Sequence, residues 1–160
     1  MAFMQETPIA TIDDLKTLAE RVLSEVEARG AGRGAATVLA LHGELGAGKT
    51  TFTQALAGLL GVVEYVTSPT FVVMRLYPTP EHHFFKQLVH IDAYRIESLA
   101  EIEVIGFKDL LCDPANLICI EWAGKIEDAL PPDALHITFT HDAHSSHDPS
   151  RGLSRKVTYG

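Results

Sequence analysis

Basic residues are scarce in this chain. Lys and Arg number 13 against 21 Asp and Glu, a formal net charge of −8. That balance excludes a broad basic face able to hold nucleic acid by phosphate contacts alone. If RNA is involved, another molecule grips it. Cysteine is scarce too: only Cys112 and Cys119 occur, with no second pair. Neither a zinc site nor a disulfide framework is indicated, and both are expected to be buried or inert thiols. No apolar run approaches the roughly 20 residues needed to cross a bilayer. The opening MAFMQETPIATIDDL lacks a basic segment followed by an apolar one, so it does not read as a signal peptide. The expectation is a cytoplasmic, reduced setting with no membrane partner. At 160 residues the chain reads as a single domain, 1–160, able to bury a core without staples. It shows no internal repeat.

Helix and strand patterns alternate along the chain. Thr11 opens a helical pattern with Asp14 as capping-box partner, and Leu15, Leu18, Ala19, Val22, Leu23 and Val26 share one face. Gly30, Gly32 and Gly34 end that helix. TVLALHG, from Thr37 to Gly43, suits a buried strand, and TTFTQALAGLL reads as a helix stopping near Gly61. After the Ser-Pro turn of YVTSPTFVVMRLYP, Phe71 to Leu76 reads as a strand, PTPEHHFFK as a hairpin-like loop, and QLVHID as a second strand. ESLAEIEVIGFKDLL is expected to be helical with a break near Gly106, and NLICIEW to be a buried strand. ALHITFTHD alternates like an exposed or edge strand. Residues 143–152 read as a mobile polar loop, and SRKVTY as a last strand. The order implies a three-layer α/β sandwich, mainly parallel with some antiparallel strands, of the P-loop NTPase type.

The chemistry starts in HGELGAGKTTF. Gly43, Gly48, Lys49 and Thr50 fill the pattern G-x-x-x-x-G-K-[ST] between a strand and a helix. Backbone N–H groups of Gly43, Glu44, Leu45, Gly46, Ala47 and Gly48 are expected to converge on phosphates at a helix N-terminus. Lys49 supplies charge to the β- and γ-phosphates, Thr50 offers a hydroxyl to magnesium, and Thr51 reaches the α-phosphate. A second carboxylate must then hold the metal. Asp92 ends QLVHID where a Walker B aspartate would sit, and Glu121 ends NLICIEW, out of place among apolar residues unless it faces a ligand, an ion or a partner. Spacing does not decide which acid touches magnesium. Ser68, Pro69 and Thr70 place two hydroxyls on a stiff turn after the loop's helix, where nucleotide-responsive segments lie; an ordinary Ser-Pro turn is the bland alternative. Trp122 beside Glu121 is either core packing or a partner or nucleotide contact. His141, His144 and His147 fall three apart in a polar loop and read as solvated, as do His82 and His83. His90, two before Asp92, shares that aspartate's face.

GELGAGKTTF, VTSPTFVV, HIDAYRI and IEW, in this order and spacing, resemble the TsaE family, the bacterial ATPase of tRNA threonylcarbamoyladenosine biosynthesis. HIDAYR fits that family's H-x-D-x-Y-R block, and the resemblance runs from about Thr11 to Pro132. It implies a protein that binds ATP with Mg2+, hydrolyses it slowly, and acts with TsaB and TsaD, meeting tRNA only through them. TsaD carries the threonylcarbamoyl transfer to the adenosine beside the anticodon. Lys49, Thr50 and Thr51 match the family's phosphate and magnesium residues, Glu121 the acid that joins the threonine on magnesium, and Asp92 its Walker B acid. Thr11 lies where the family places a nucleotide-base contact, and Arg155, rather than Arg151, is the choice for a C-terminal arginine that approaches the nucleotide. The family continues Glu-Trp with Pro-Glu; here Ala123 and Gly124 follow Trp122.

Two other readings compete. A small-molecule kinase needs an acceptor pocket and a basic lid, yet only Lys108 is basic between Arg95 and Trp122. A GTPase should show N/T-K-x-D after a late strand, and FKDL at Phe107–Leu110 lacks both the first polar residue and the spacing. The expected mechanism is a switch: ATP orders the VTSPTF segment and the region around Trp122, and hydrolysis releases them.

Overall fold

Uninterrupted apolar runs can be satisfied only between two covering layers, and the chain uses them at the centre of its sheet. A computed structural model describes residues 4–30, 34–141 and 155–160. The strands are β1 (Gln5–Ile9), β2 (Thr37–His42), β3 (Met74–Pro78), β4 (Gln87–Asp92), β5 (Asn116–Glu121), β6 (Leu135–His141) and β7 (Arg155–Tyr159). They form one sheet in the order β1-β7-β6-β2-β5-β4-β3. The central β6-β2-β5-β4 group is parallel. β7 runs antiparallel to β6, β1 to β7, and β3 to β4. Only β3 and β7 therefore oppose the common direction.

Alternation along these strands sends successive side chains to opposite faces. Leu39, Leu41, Leu117, Cys119 and Ile137 pack under α1 (Ile12–Ala28) and α2 (Lys49–Leu59). Val38, Ala40, Ile118 and Ile120 pack under α3 (Leu99–Val104), α4 (Phe107–Cys112) and a 3-10 segment, Ala123–Ala129. The three layers follow from that division. α1 begins with a full capping box: Thr11 accepts from the Asp14 N–H, and the Asp14 carboxylate accepts from the Thr11 N–H. Gly106, at φ 78°, breaks α3 from α4 where the sequence places the interruption.

Three expectations change. β1 has no sequence signal, because its five residues are mostly exposed and include Pro8; pairing with β7 makes it a strand, and proline is tolerated at a sheet edge. β6 is not an edge strand: it lies between β2 and β7. Its alternation reflects one apolar face and one half-buried face, on which His136 sits. The strand expected from Phe71 begins only at Met74. The N–H groups of Val72 and Val73 both turn back to the Pro69 carbonyl, at 3.0 and 2.7 Å, and Val73 is left-handed at φ 66°. The 143–152 loop, His144, His147 and Arg151 lie outside the described residues. Among the described residues no helix is long and apolar enough to cross a membrane.

The two cysteines part company. Cys112 is exposed at the end of α4, and Cys119 is buried in β5, where burial pushes its thiol up to about 12. A thiol reagent at pH 8 is expected to titrate one cysteine in the native protein and two after denaturation. For the cap, Thr11→Ala should cost about 1 kcal/mol in urea unfolding at neutral pH. The N–H groups of Ala10 and Thr11 hold the Asp14 carboxyl below its ordinary 3.8. The box is therefore complete above 3.8 and is lost as pH falls through Asp14's lower folded value. Because the Thr11 hydroxyl also lowers that carboxyl, the difference between wild type and Thr11→Ala should shrink over that acid range.

Candidate active site

Parallel strands deliver their C-terminal ends to one rim, the usual place for a ligand in an open α/β sheet. Here β2 runs into the glycine loop, while β4 and β5 end on Asp92 and Glu121, in register across the sheet. Leu88, His90 and Asp92 alternate onto the same face as Leu117, Cys119 and Glu121, the face covered by α2. The two acids thus lie side by side under the loop-to-helix junction.

The loop's geometry requires glycine at two places above all. Gly43 has φ 139°, and a Cβ there would sit 2.6 Å from the Phe139 carbonyl oxygen of β6. Gly48, at φ 111°, is the N-cap of α2 and offers no side-chain cap, so the first N–H groups of the helix are left for an anion. Lys49 is 4% exposed. Its ammonium donates to the carbonyls of Gly43 and Glu44, at 2.5 and 2.8 Å, and lies 4.3 Å from the centre of the Trp122 ring. Burial holds its pKa below the ordinary lysine value, against the opposing pull of Glu121, Asp92 and Glu44. Among the described residues this ammonium has no ion-pair partner within salt-bridge distance. Its charge is available to an anion.

The two carboxylates hold different elements. Glu121 is 3% exposed and accepts from the Thr50 hydroxyl at 2.8 and 3.0 Å and from His90 Nε2 at 2.8 Å. Asp92, also 3% exposed, accepts from Ser68 Oγ at 3.0 Å, Thr70 Oγ1 at 2.8 Å and the Tyr94 N–H at 3.0 Å. Glu121 thus grips the start of α2, and Asp92 grips the segment after it. The Thr50 and Glu121 oxygens suit a hard, oxygen-seeking cation such as Mg2+.

A cavity of about 450 Å3 gathers most of the candidates: Leu45 to Thr51, Ser68, Thr70, Asp92, Glu121, Trp122 and Arg155 all line it. Gly43 and Glu44 contribute carbonyls that fix Lys49, and Pro69 shapes the turn between Ser68 and Thr70. Thr11 lies in an adjoining cavity of about 390 Å3, which shares Thr51 and Arg155 with the first. Sequence reasoning missed Tyr94, whose ring meets Trp122 at 5.0 Å; its place in HIDAYR, two past Asp92, was the available signal. Arg95 also escaped notice, with its guanidinium 4.9 Å from the Phe71 ring centre.

The remaining histidines divide. His141 ends β6 exposed. His82 is not solvated: its side chain is 8% exposed and its Nε2 lies 3.1 Å from Glu27. Glu27, His82 and His83 come close enough together to suggest a metal site. However, His82 Nδ1 accepts the N–H groups of Phe84 and Phe85. Its Nε2 must then carry the proton and cannot donate a lone pair to a metal. The cluster ties the end of α1 to the β3–β4 hairpin.

The family model described as "Threonylcarbamoyl adenosine biosynthesis protein TsaE" matches residues 9–151. The chain belongs to the TsaE family. A Streptomyces coelicolor protein named tRNA threonylcarbamoyladenosine biosynthesis protein TsaE is 40% identical over 122 residues, 75% of this chain and 79% of that one. A Borreliella burgdorferi protein of the same name is 38% identical over 98 residues, 61% of this chain and 68% of its own. The crystal structure of Bacillus subtilis YdiB superposes with a TM-score of 0.69 at 25% identity, covering 99% of this chain and 86% of that one. The TsaE match spans the glycine loop, Asp92 and Glu121; Arg155 lies just beyond it.

Two of the three loop glycines at positive φ, Gly46 and Gly43, separate strain from collision. Gly46 has φ 75° and nothing within 4 Å of an added Cβ, so Gly46→Ala should cost about 1–2 kcal/mol of backbone strain. Gly43→Ala adds a clash with β6 and should cost more. Equilibrium unfolding of the two variants checks the order.

Proposed function

We propose that this TsaE-family chain binds ATP with Mg2+ and hydrolyses it in the service of tRNA threonylcarbamoyladenosine formation, acting with TsaB and TsaD. The observation that carries the reading is the Thr50–Glu121 contact at 2.8 Å, set beside a glycine loop whose helix N-terminus is uncapped. Together these supply oxygen donors for a hard cation next to donors for phosphates. The fold is read accordingly as a P-loop NTPase-like sandwich. The names of the relatives support the tRNA assignment, and the net charge of −8 favours tRNA being held by the partners rather than by this chain.

In this reading Lys49 and the loop N–H groups bind the phosphates, and Thr50 and Glu121 hold Mg2+. The ion, when bound, neutralises phosphate charge. The adjoining cavity, with Ile9, Ile12 and Leu15 beside Thr11, offers an apolar floor for the base. Arg155, which lines both cavities, would lie between base and phosphates, its buried Nε without a hydrogen-bond partner among the described residues. Asp92 links the nucleotide to the chain's response. Because Ser68 and Thr70 already have Asp92 as their partner, a γ-phosphate would act by exchanging those hydrogen bonds rather than by ordering a loose segment. Trp122 and Tyr94, at the mouth, would carry the change to a partner. Among the described residues the cavity's basic lining is Lys49 and Arg155, which gives the kinase alternative no lid to support it.

The test is a reconstituted modification assay with TsaB and TsaD. Lys49→Ala and Glu121→Ala should each lower ATP turnover by about 100-fold or more and abolish multi-turnover threonylcarbamoyl transfer. Adding TsaB and TsaD together should raise wild-type ATPase activity. Normal multi-turnover modification by either variant, or vigorous phosphate transfer to a metabolite by the chain alone, would overturn the reading.

A further inference from the structure

His90 is wholly buried on the site's face of β4, and nothing in the proposed reaction uses it. Among the described residues it makes one side-chain hydrogen bond, from Nε2 to Glu121 Oε1 at 2.8 Å. Its Nδ1 is buried with no partner among the described residues. A carboxylate only accepts, so Nε2 carries the hydrogen, and in the neutral ring Nδ1 is then a bare lone pair. A histidine kept merely to fill the core would have both nitrogens satisfied, or would be replaced without loss by an apolar residue of similar size. Here an unsatisfied nitrogen is tolerated for the sake of one contact. That contact breaks the symmetry of the carboxylate. The Thr50 hydroxyl approaches both oxygens, at 2.8 and 3.0 Å, whereas His90 engages Oε1 alone. Oε1 therefore takes the His90 hydrogen and the nearer share of the single Thr50 hydrogen, and Oε2 keeps the greater free accepting capacity.

We infer that His90 is the positioning residue for Glu121: its Nε2–H fixes the carboxylate so that Oε2 is presented to a divalent cation. The inference rests on the proposed Mg2+–nucleotide reading and assigns the atom that sets the site's metal affinity. The hydrogen of Thr50 cannot do this alone, because it lies near both oxygens and its own oxygen is a metal donor in that reading. Partners that orient a ligating carboxylate typically change metal affinity 10–100-fold when removed.

The test is a Mg2+ titration of the whole chain with a fluorescent ADP analogue, run beside the same binding measurement in EDTA. His90→Leu should raise the Mg2+ midpoint about 10–100-fold and leave nucleotide affinity in EDTA within twofold of wild type. His90→Gln, whose amide N–H can replace the Nε2–H, should restore most of the difference. A merely structural histidine would lower the melting temperature in both variants without moving the Mg2+ midpoint. Nitrogen-15 NMR of the histidine rings in the wild-type chain gives a reading independent of any variant. Nε2 of His90 should be protonated, Nδ1 bare, and the Nε2–H signal should shift on adding Mg2+ with nucleotide. An Nδ1–H tautomer, or an unmoved midpoint in folded His90→Leu while wild type binds normally, overturns the positioning role alone. Wild type without any Mg2+-dependent nucleotide binding overturns the proposed function and this role with it.

Discussion

Most of the site is organised around one buried carboxylate. Glu121 stands at the end of a strand whose six residues are all buried, in surroundings where an unsolvated charge is prohibitive unless donors surround it. Those donors come from two different elements. Thr50 reaches it from the first turn of α2, and His90 reaches it from the neighbouring strand. The same three residues thus connect the loop's helix to the two central strands. Because each hydrogen bond offsets part of a large desolvation cost, removing either donor leaves a charge under-satisfied. The Thr50 contact holds the start of α2, and with it the loop N–H groups, against Glu121, while His90 satisfies the same carboxylate from β4.

Lys49 completes the electrostatics. Its ammonium lies near Glu121 and Asp92, which raise its affinity for a proton, yet it hydrogen-bonds to two loop carbonyls and faces an aromatic ring. Cation–ring attraction of about 1–2 kcal/mol for a desolvated pair helps to keep the charge in the cavity rather than in an ion pair with either acid. The acids are occupied by hydroxyls and by His90 and Tyr94, so the cation is left to attract whatever anion enters. Charge separation of this kind suits phosphate binding better than a closed lysine–carboxylate pair would.

What could be read from the sequence is what local chemistry dictates. The glycine loop, the capping box at Thr11 and Asp14, the two strand-end acids and the break at Gly106 are each written in a few adjacent residues. The stretch TVLALHG announces a buried strand because no polar residue interrupts Val38 to Leu41. What escaped depends on partners far away in the chain. β1 is a strand because β7 pairs with it, and β6 is interior for the same reason. No spacing rule could tell that Asp92 would meet Ser68 and Thr70 while Glu121 would meet Thr50, since both acids end apolar strands in the same way. The register across β4 and β5, together with the fold-back at Pro69, makes that choice. His82 shows the same limit in reverse, a polar residue in a polar loop that packs inward because Glu27 waits at the end of α1.

Two non-glycine residues among those described adopt the left-handed region, Val73 at φ 66° and Trp122 at φ 56°. For a β-branched residue such as valine this is a true outlier, and each costs on the order of 1–2 kcal/mol. Both abut the acids. The Val73 carbonyl accepts the Asp92 N–H at 2.8 Å, and Trp122 directly follows Glu121. An extended residue at position 122 would carry the chain on along the strand. The left-handed turn instead brings the indole back over Lys49 and against Tyr94. At position 73 the same kind of turn folds the Ser68–Thr70 hydroxyls onto Asp92 while β3 still pairs with β4. The local cost is sustained because each turn closes contacts that a relaxed backbone could not make. The strained residues therefore mark where the rigid sheet ends and the ligand-facing segments begin.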